Sequence, residues 1–148
     1  MKRTLLSLAL FVGIASFGSL ASAGEWLTDY AKAIGQAKSE NKQVLMDFTG
    51  SDWCGWCMKL DREVFEQKEF KDFADKNLVL LKVDFPRSKP QSAQEKAQNE
   101  KLSKQFKIEG FPTIVVLNPD GNKAGELGYT PGGPSAFLAE LQKEAPKK

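Results

Sequence analysis

The chain has 148 residues, with 21 Lys+Arg against 19 Asp+Glu, two cysteines and no histidine. A formal charge of +2 leaves no basic patch to argue for nucleic acid and no acidic bias to argue for a cationic partner. The missing histidines exclude haem attachment through C-x-x-C-H, and they leave zinc possible only if a second chain shares the site.

At the N-terminus, Lys2 and Arg3 precede a mostly apolar run, Leu5 to Leu20, closed by Ala21-Ser22-Ala23. Basic start, apolar stretch and small residues at the −3 and −1 positions make a secretory signal peptide, cleaved after Ala23. The run is short and glycine-interrupted for a membrane anchor. Without Lys2 and Arg3 the chain is formally neutral. The expectation is an exported, periplasmic protein in which Gly24 to Lys148 forms one domain with a sizeable core.

Trp26, Leu27, Tyr30, Ala31, Ile34 and Ala37 recur at three- and four-residue steps and predict a first amphipathic helix. Gln43 to Thr49 is a nearly continuous apolar run, the pattern of a strand covered on both faces, broken only by Asp47. Gly50-Ser51-Asp52 is a turn. A helix follows from Cys54, with Cys57, Leu60, Val64 and Phe65 on its buried face. Gln67 to Asn77 either continues that helix after a bend or forms another. Leu78 to Phe85 reads as the second strand and Pro86 to Gln91 as a loop. Ser92 to Phe106 is a charged, mostly solvated helix. Thr113 to Leu117 is the third strand, Asn118-Pro119-Asp120-Gly121 a turn, and Ala124 to Tyr129 an antiparallel fourth strand. The last helix starts at Gly133-Pro134, with Ala136, Phe137, Leu138 and Leu141 facing inward. Helical crossovers between the first three strands imply parallel pairing. The fold class is therefore α/β, a central mixed sheet of about four strands flanked by helices.

Cys54 and Cys57 are two residues apart at a strand-to-helix junction. A structural disulfide closing so short a loop constrains little of the unfolded chain. A Cu(I) carrier would use both thiolates, with Met58 as one weak extra ligand. Reversible thiol–disulfide chemistry fits the position better. A thiol in the first turn of a helix meets unpaired backbone N–H groups that favour thiolate. Cys54 is then the exposed nucleophile, and Cys57, one turn in, the buried resolving thiol. Cys57 must lose its proton to attack. Asp47, in an apolar strand, is the candidate acceptor, since burial raises a carboxyl pKa toward neutrality. Asp52 is read as turn chemistry.

Asp47-Phe48, Trp53-Cys54-Gly55-Trp56-Cys57, Val83-Asp84, Gly110-Phe111-Pro112-Thr113 and Asn118-Pro119-Asp120-Gly121 together resemble the thioredoxin family, in order and rough spacing. More narrowly, G-S-D-W-C-G-W-C is similar to exported bacterial thioredoxin-like proteins. The resemblance implies a thioredoxin fold and a Cys54–Cys57 redox disulfide. It implies a cis Pro112 beside the cysteines, a substrate strand paired at Phe111, and Asp47 as the buried acid. Trp53 falls on the family's tryptophan before the nucleophile, and Trp53 and Trp56 are candidate substrate contacts. Three departures stand out: an extra residue between Asp47 and Cys54, a Gly55-Trp56 middle dipeptide, and a longer segment from Pro86 to Phe106. The expected function is reduction or shuffling of protein disulfides by a monomer without cofactor or metal. Its partners would be disulfide-bearing proteins and a membrane or periplasmic electron donor. The alternative is a non-catalytic thioredoxin-like binding or chaperone module.

Overall fold

A computed structural model describes residues 24–147; the signal peptide and its cleavage after Ala23 lie outside the described residues. The strands are β1 (Trp26–Leu27), β2 (Gln43–Thr49), β3 (Leu78–Asp84), β4 (Thr113–Leu117) and β5 (Lys123–Leu127). The helices are α1 (Tyr30–Glu40), α2 (Gly55–Leu60), α3 (Lys68–Asn77), α4 (Ala93–Phe106) and α5 (Gly133–Glu144). Between α2 and α3 the backbone widens into a π-helical turn, Asp61–Phe65. The mixed sheet has five strands in the order β1-β3-β2-β4-β5.

Two sequence expectations need correction. Trp26 and Leu27 do not open α1. They form an edge strand parallel to β3, opposite Leu80 and Leu81. The helix waits for Asp29, whose carboxylate caps it by accepting from Lys32 N at 2.8 Å. Trp26 instead packs its ring on Phe65, with centroids 5.1 Å apart. The fifth strand is thus a two-residue element hidden in a helix-like periodicity.

The second correction is one of direction. β3 is parallel to β2, but β4 runs antiparallel to β2, with Phe48 opposite Thr113. The crossover through α4 does not return the chain to the far end of the sheet. Asn99, midway along α4 and buried, donates to the carbonyl of Asp84 at the end of β3. The chain therefore re-enters at the end of the sheet where β3 stops, with Thr113 opposite Phe48 near the C-terminal end of β2. As expected, α4 is mostly solvated, with Leu102 as its buried apolar residue.

Strand alternation sorts the core onto two faces. Val44, Met46, Phe48, Val79, Leu81, Val83, Val115 and Leu117 pack toward Ala33 and Ala37 of α1 and Leu102 of α4. Leu45, Leu78, Leu80, Ile114 and Val116 pack toward Leu60, Val64, Phe65, Phe70, Phe137 and Leu141 from the other helices. Phe65, Phe70 and Phe137 pack mutually, with centroids 4.8 to 6.0 Å apart. Asp47 and Lys82 follow Leu45 and Leu80 by two residues, so both charges point into this second, helix-covered face.

Candidate active site

The site is built where β2 ends. The carbonyl of Gly50 accepts from Trp53 N at 3.2 Å and Cys54 N at 2.9 Å, which turns the chain from strand into helix. Trp53 folds back over Gly50 so closely that a Cβ there would lie 2.4 Å from the indole. No side chain larger than hydrogen fits. Cys54 then occupies the N-cap of α2, and its Sγ accepts from Cys57 N at 3.2 Å. A donor aimed at that sulfur favours a negative charge on it.

Cys54 and Cys57 are joined in a disulfide with Cα atoms 5.3 Å apart. The expectation of an exposed Cys54 needs correction for this closed form. Cys54 is 7% exposed and Cys57 2%. In this closed form the order of exposure is as expected and its amount is not.

Asp47 is 2% exposed. Its Oδ2 accepts from Lys82 Nζ at 2.9 Å, and the same ammonium reaches Asp61 Oδ1 at 3.0 Å. Asp47 Oδ1 has no hydrogen-bond partner among the described residues. Burial raises the Asp47 pKa from 3.8 to about 6, against the lowering pull of Lys82. Burial also works to lower Lys82, but the two carboxylates hold its pKa above the usual lysine value. The ammonium is further placed over the Trp26 ring, 4.4 Å from its centroid. Lys82 and Asp61 were not singled out from the sequence. The available signal was that Lys82 is the one charge between Leu78 and Val83, as Asp47 is in its own strand.

The remaining candidates form two aromatic shoulders. On one, Trp53 meets Phe111 edge-on at 5.9 Å, and Phe111 stacks on Phe85 at 5.1 Å. The Trp53 indole N–H donates to the carbonyl of Phe85 at 2.8 Å. The Phe111–Pro112 peptide bond is cis. On the other shoulder, Trp56 is 58% exposed, packs 5.2 Å from Tyr129, and carries Lys59 Nζ 5.1 Å over its ring. The Tyr129 hydroxyl donates to Glu63 at 2.7 Å. Asp52, read as turn chemistry, accepts backbone N–H bonds from Arg87, Ser88 and Lys89 at 3.0, 2.7 and 3.0 Å. Those bonds lower its pKa. Among the described residues, no group of three or more His, Cys, Asp or Glu could hold a metal ion.

Chemically, the arrangement offers a sulfur pair at a helix start, a donor on the outer sulfur, and a buried carboxyl whose pKa burial raises to about 6. The profile of the Thioredoxin-like domain family matches residues 30–145. The Disulfide bond reductase DsbH of Chlamydia pneumoniae is 34% identical over 123 residues, which cover 83% of this chain and 74% of that protein. The Thioredoxin-related protein DsbJ of the same organism is 32% identical over 103 residues, 70% of this chain but only 30% of DsbJ. A solved structure of a DsbH oxidoreductase superposes with a TM-score of 0.77 at 30% identity, covering 96% of this chain and 93% of that one. The chain belongs to the thioredoxin-like family.

Proposed function

We propose that this thiol–disulfide oxidoreductase is exported, works as a monomer on the single domain 24–148, and runs in the reducing direction on protein disulfides. The observation that carries the chemistry is the Cys54 sulfur at the N-cap of α2, accepting from Cys57 N. In the reduced protein, the Cys54 thiolate attacks one sulfur of a substrate disulfide. A Cys54–substrate disulfide forms and the other substrate sulfur leaves as a thiolate, which takes a proton from solvent. Cys57 then passes its proton to Asp47 and attacks Cys54 Sγ. The second substrate thiol leaves, and the Cys54–Cys57 disulfide closes. Two electrons have moved from the dithiol to the substrate, and a protein donor from the periplasm or membrane must return them.

Phe111 and Pro112 carry the substrate strand, with Trp53 and Trp56 flanking it. The reducing direction rests on two points. No histidine stands between the cysteines to stabilise a thiolate, and a relative spanning most of the chain is named a disulfide bond reductase. Equilibration with glutathione tests the direction. A potential well below about −200 mV is expected, and one above about −160 mV overturns the reductase reading.

A non-catalytic binding or chaperone module is the second reading, favoured by the exposed indole of Trp56. Insulin reduction with dithiothreitol separates the two. Cys54→Ser is expected to abolish acceleration, and a variant as active as the parent favours the binding module. Cys57→Ser is expected to accumulate a mixed disulfide with the substrate.

A further inference from the structure

The loop between β3 and α4, residues 85–91, is tied to the turn before Cys54 through Phe85, Arg87, Ser88 and Lys89. Asp52 takes the backbone N–H groups of Arg87, Ser88 and Lys89. The Trp53 indole donates to the Phe85 carbonyl. Lys89 Nζ donates to Ser51 Oγ at 3.2 Å, and Ser51 donates through both its N–H and its hydroxyl to Asp84. At the far end Gln91 donates to the Asp84 carbonyl. Three converging amides on one carboxylate are a loop held in a single shape, although the loop itself is exposed.

That shape places Arg87 with its guanidinium carbon 3.9 Å from the centroid of Trp53. Arg87 has no ion-pair partner among the described residues, and the nearby acids already have other hydrogen-bond partners. Asp52 is committed to the loop amides, Asp84 to Ser51, and Glu95 to Gln91. Lys89 and Lys96 line a cleft of about 260 Å³ beside Phe85, with Glu100 the one acid on its wall. Phe85 in turn stacks on Phe111, the residue read as the substrate shelf. A cation on a flexible stem would be swept through solvent. This one is stacked on the tryptophan that adjoins the nucleophile.

We propose that loop 85–91 is a fixed wall of the partner groove and that Arg87 is its specificity-determining residue. It receives a carboxylate that the disulfide-bearing partner carries next to its cysteine. Asp52 acts through Arg87 as a positioning residue. The proposal rests on the oxidoreductase reading of Cys54 and Cys57. An arginine is suited to the role because it stays charged and offers a planar fork to a carboxylate while its face lies on an indole.

The test uses three peptide disulfides whose cysteines are flanked by Glu, Gln or Lys. Single-turnover reduction by the reduced protein is followed by stopped flow. Each rate is divided by that of the same peptide with dithiothreitol, which removes the intrinsic reactivity of the disulfide. The Glu-flanked peptide is expected to react about threefold faster than the Gln-flanked one at low salt, the order of a solvent-exposed ion pair. The Lys-flanked peptide is expected to be slowest. The preference should fade as salt shortens the screening length. Arg87→Gln should bring the Glu-to-Gln ratio to about one, Arg87→Lys should restore part of it, and Asp52→Ala should lower it with Arg87 still present. A parent ratio of one, or a ratio unchanged in Arg87→Gln, overturns the proposal. A reduced parent that reacts with none of the peptides overturns the oxidoreductase reading itself, and the wall with it.

Discussion

Replacing Asp47 with Asn should make the protein more stable and less active at once. The Asp47 carboxyl is buried and its pKa rises from 3.8 to about 6 with the disulfide closed. Native protein therefore binds an extra proton between those pH values, where the unfolded chain has released it. The group's favourable contribution is complete below pH 3.8 and is lost as the pH rises through about 6. Above that, holding the ionised carboxylate in the core costs about 3 kcal/mol, at 1.36 kcal/mol for each tenfold change in proton affinity. The figure already contains the attraction of Lys82, because that attraction is part of what sets the pKa. A neutral, nearly isosteric Asn avoids the cost, and Lys82 keeps Asp61 at 3.0 Å. Asp47→Asn should gain about 3 kcal/mol at pH 7.5 and almost nothing at pH 4. Urea unfolding of the disulfide form measures it, with a midpoint rise on the order of 2 M for an ordinary slope. The same variant should resolve mixed disulfides more slowly, with the largest deficit near neutral pH. Equal gains at pH 4 and 7.5 would refute the charge argument, leaving only a packing effect. A pH–rate profile superimposable on the parent's would remove Asp47 from the proton transfer.

Lys82→Met leaves Asp47 and Asp61 facing each other without a cation; Asp47 should then titrate above 6 by carboxyl NMR. The variant should lose about 3 kcal/mol at pH 7.5, and less at pH 5 where a carboxyl takes up a proton. Gly50→Ala would press a methyl group into the Trp53 indole, 2.4 Å away. It should shift the tryptophan emission and cost about 1–3 kcal/mol, with a matching loss of insulin reduction. Phe137→Ala removes a fully buried ring that two others pack against. It should cost about 3–5 kcal/mol in urea unfolding, while the spacing of the cysteines stays as it is.

The strands that carry the core were legible because each is an apolar run too short for a helix and bounded by turn residues. Gln43–Thr49 and Thr113–Leu117 appear in the structure with the expected bounds. Trp26–Leu27 was not, because two residues have no period of their own, and their spacing to Tyr30 and Ile34 imitates a helix. The cap at Asp29 was the better signal, since a capping side chain marks where helical backbone must start. The direction of β4 was missed for a different reason. A helical crossover implies parallel strands only when the helix runs the length of the sheet. Whether α4 does so is set by how it docks on the sheet, through contacts such as Leu102 in the core and Asn99 on the Asp84 carbonyl, which no local pattern encodes.

The site divides along the same line. Cys54, Cys57 and Asp47 could be singled out because each violates its surroundings: the only sulfur pair in the chain, and an acid inside an apolar strand. What could not be seen is that Asp47 has company. Its partner lies 35 residues away, and it becomes a partner only through the register that sets Asp47 opposite Lys82 on adjacent parallel strands. Even so, the pairing leaves a trace. Two apolar strands are each interrupted once, by charges of opposite sign, and parallel alternation sends both to the same covered face. Neither would survive there alone, since an unpaired buried charge is costly. Asp61 sits four residues after Cys57, on the same face of the helix as that cysteine. One lysine thus holds two carboxylates on the cysteine side of the sheet. The pKa of the buried acid, about 6, is set by a balance between burial and that lysine, and changing either should move the titration in a direction that can be stated beforehand.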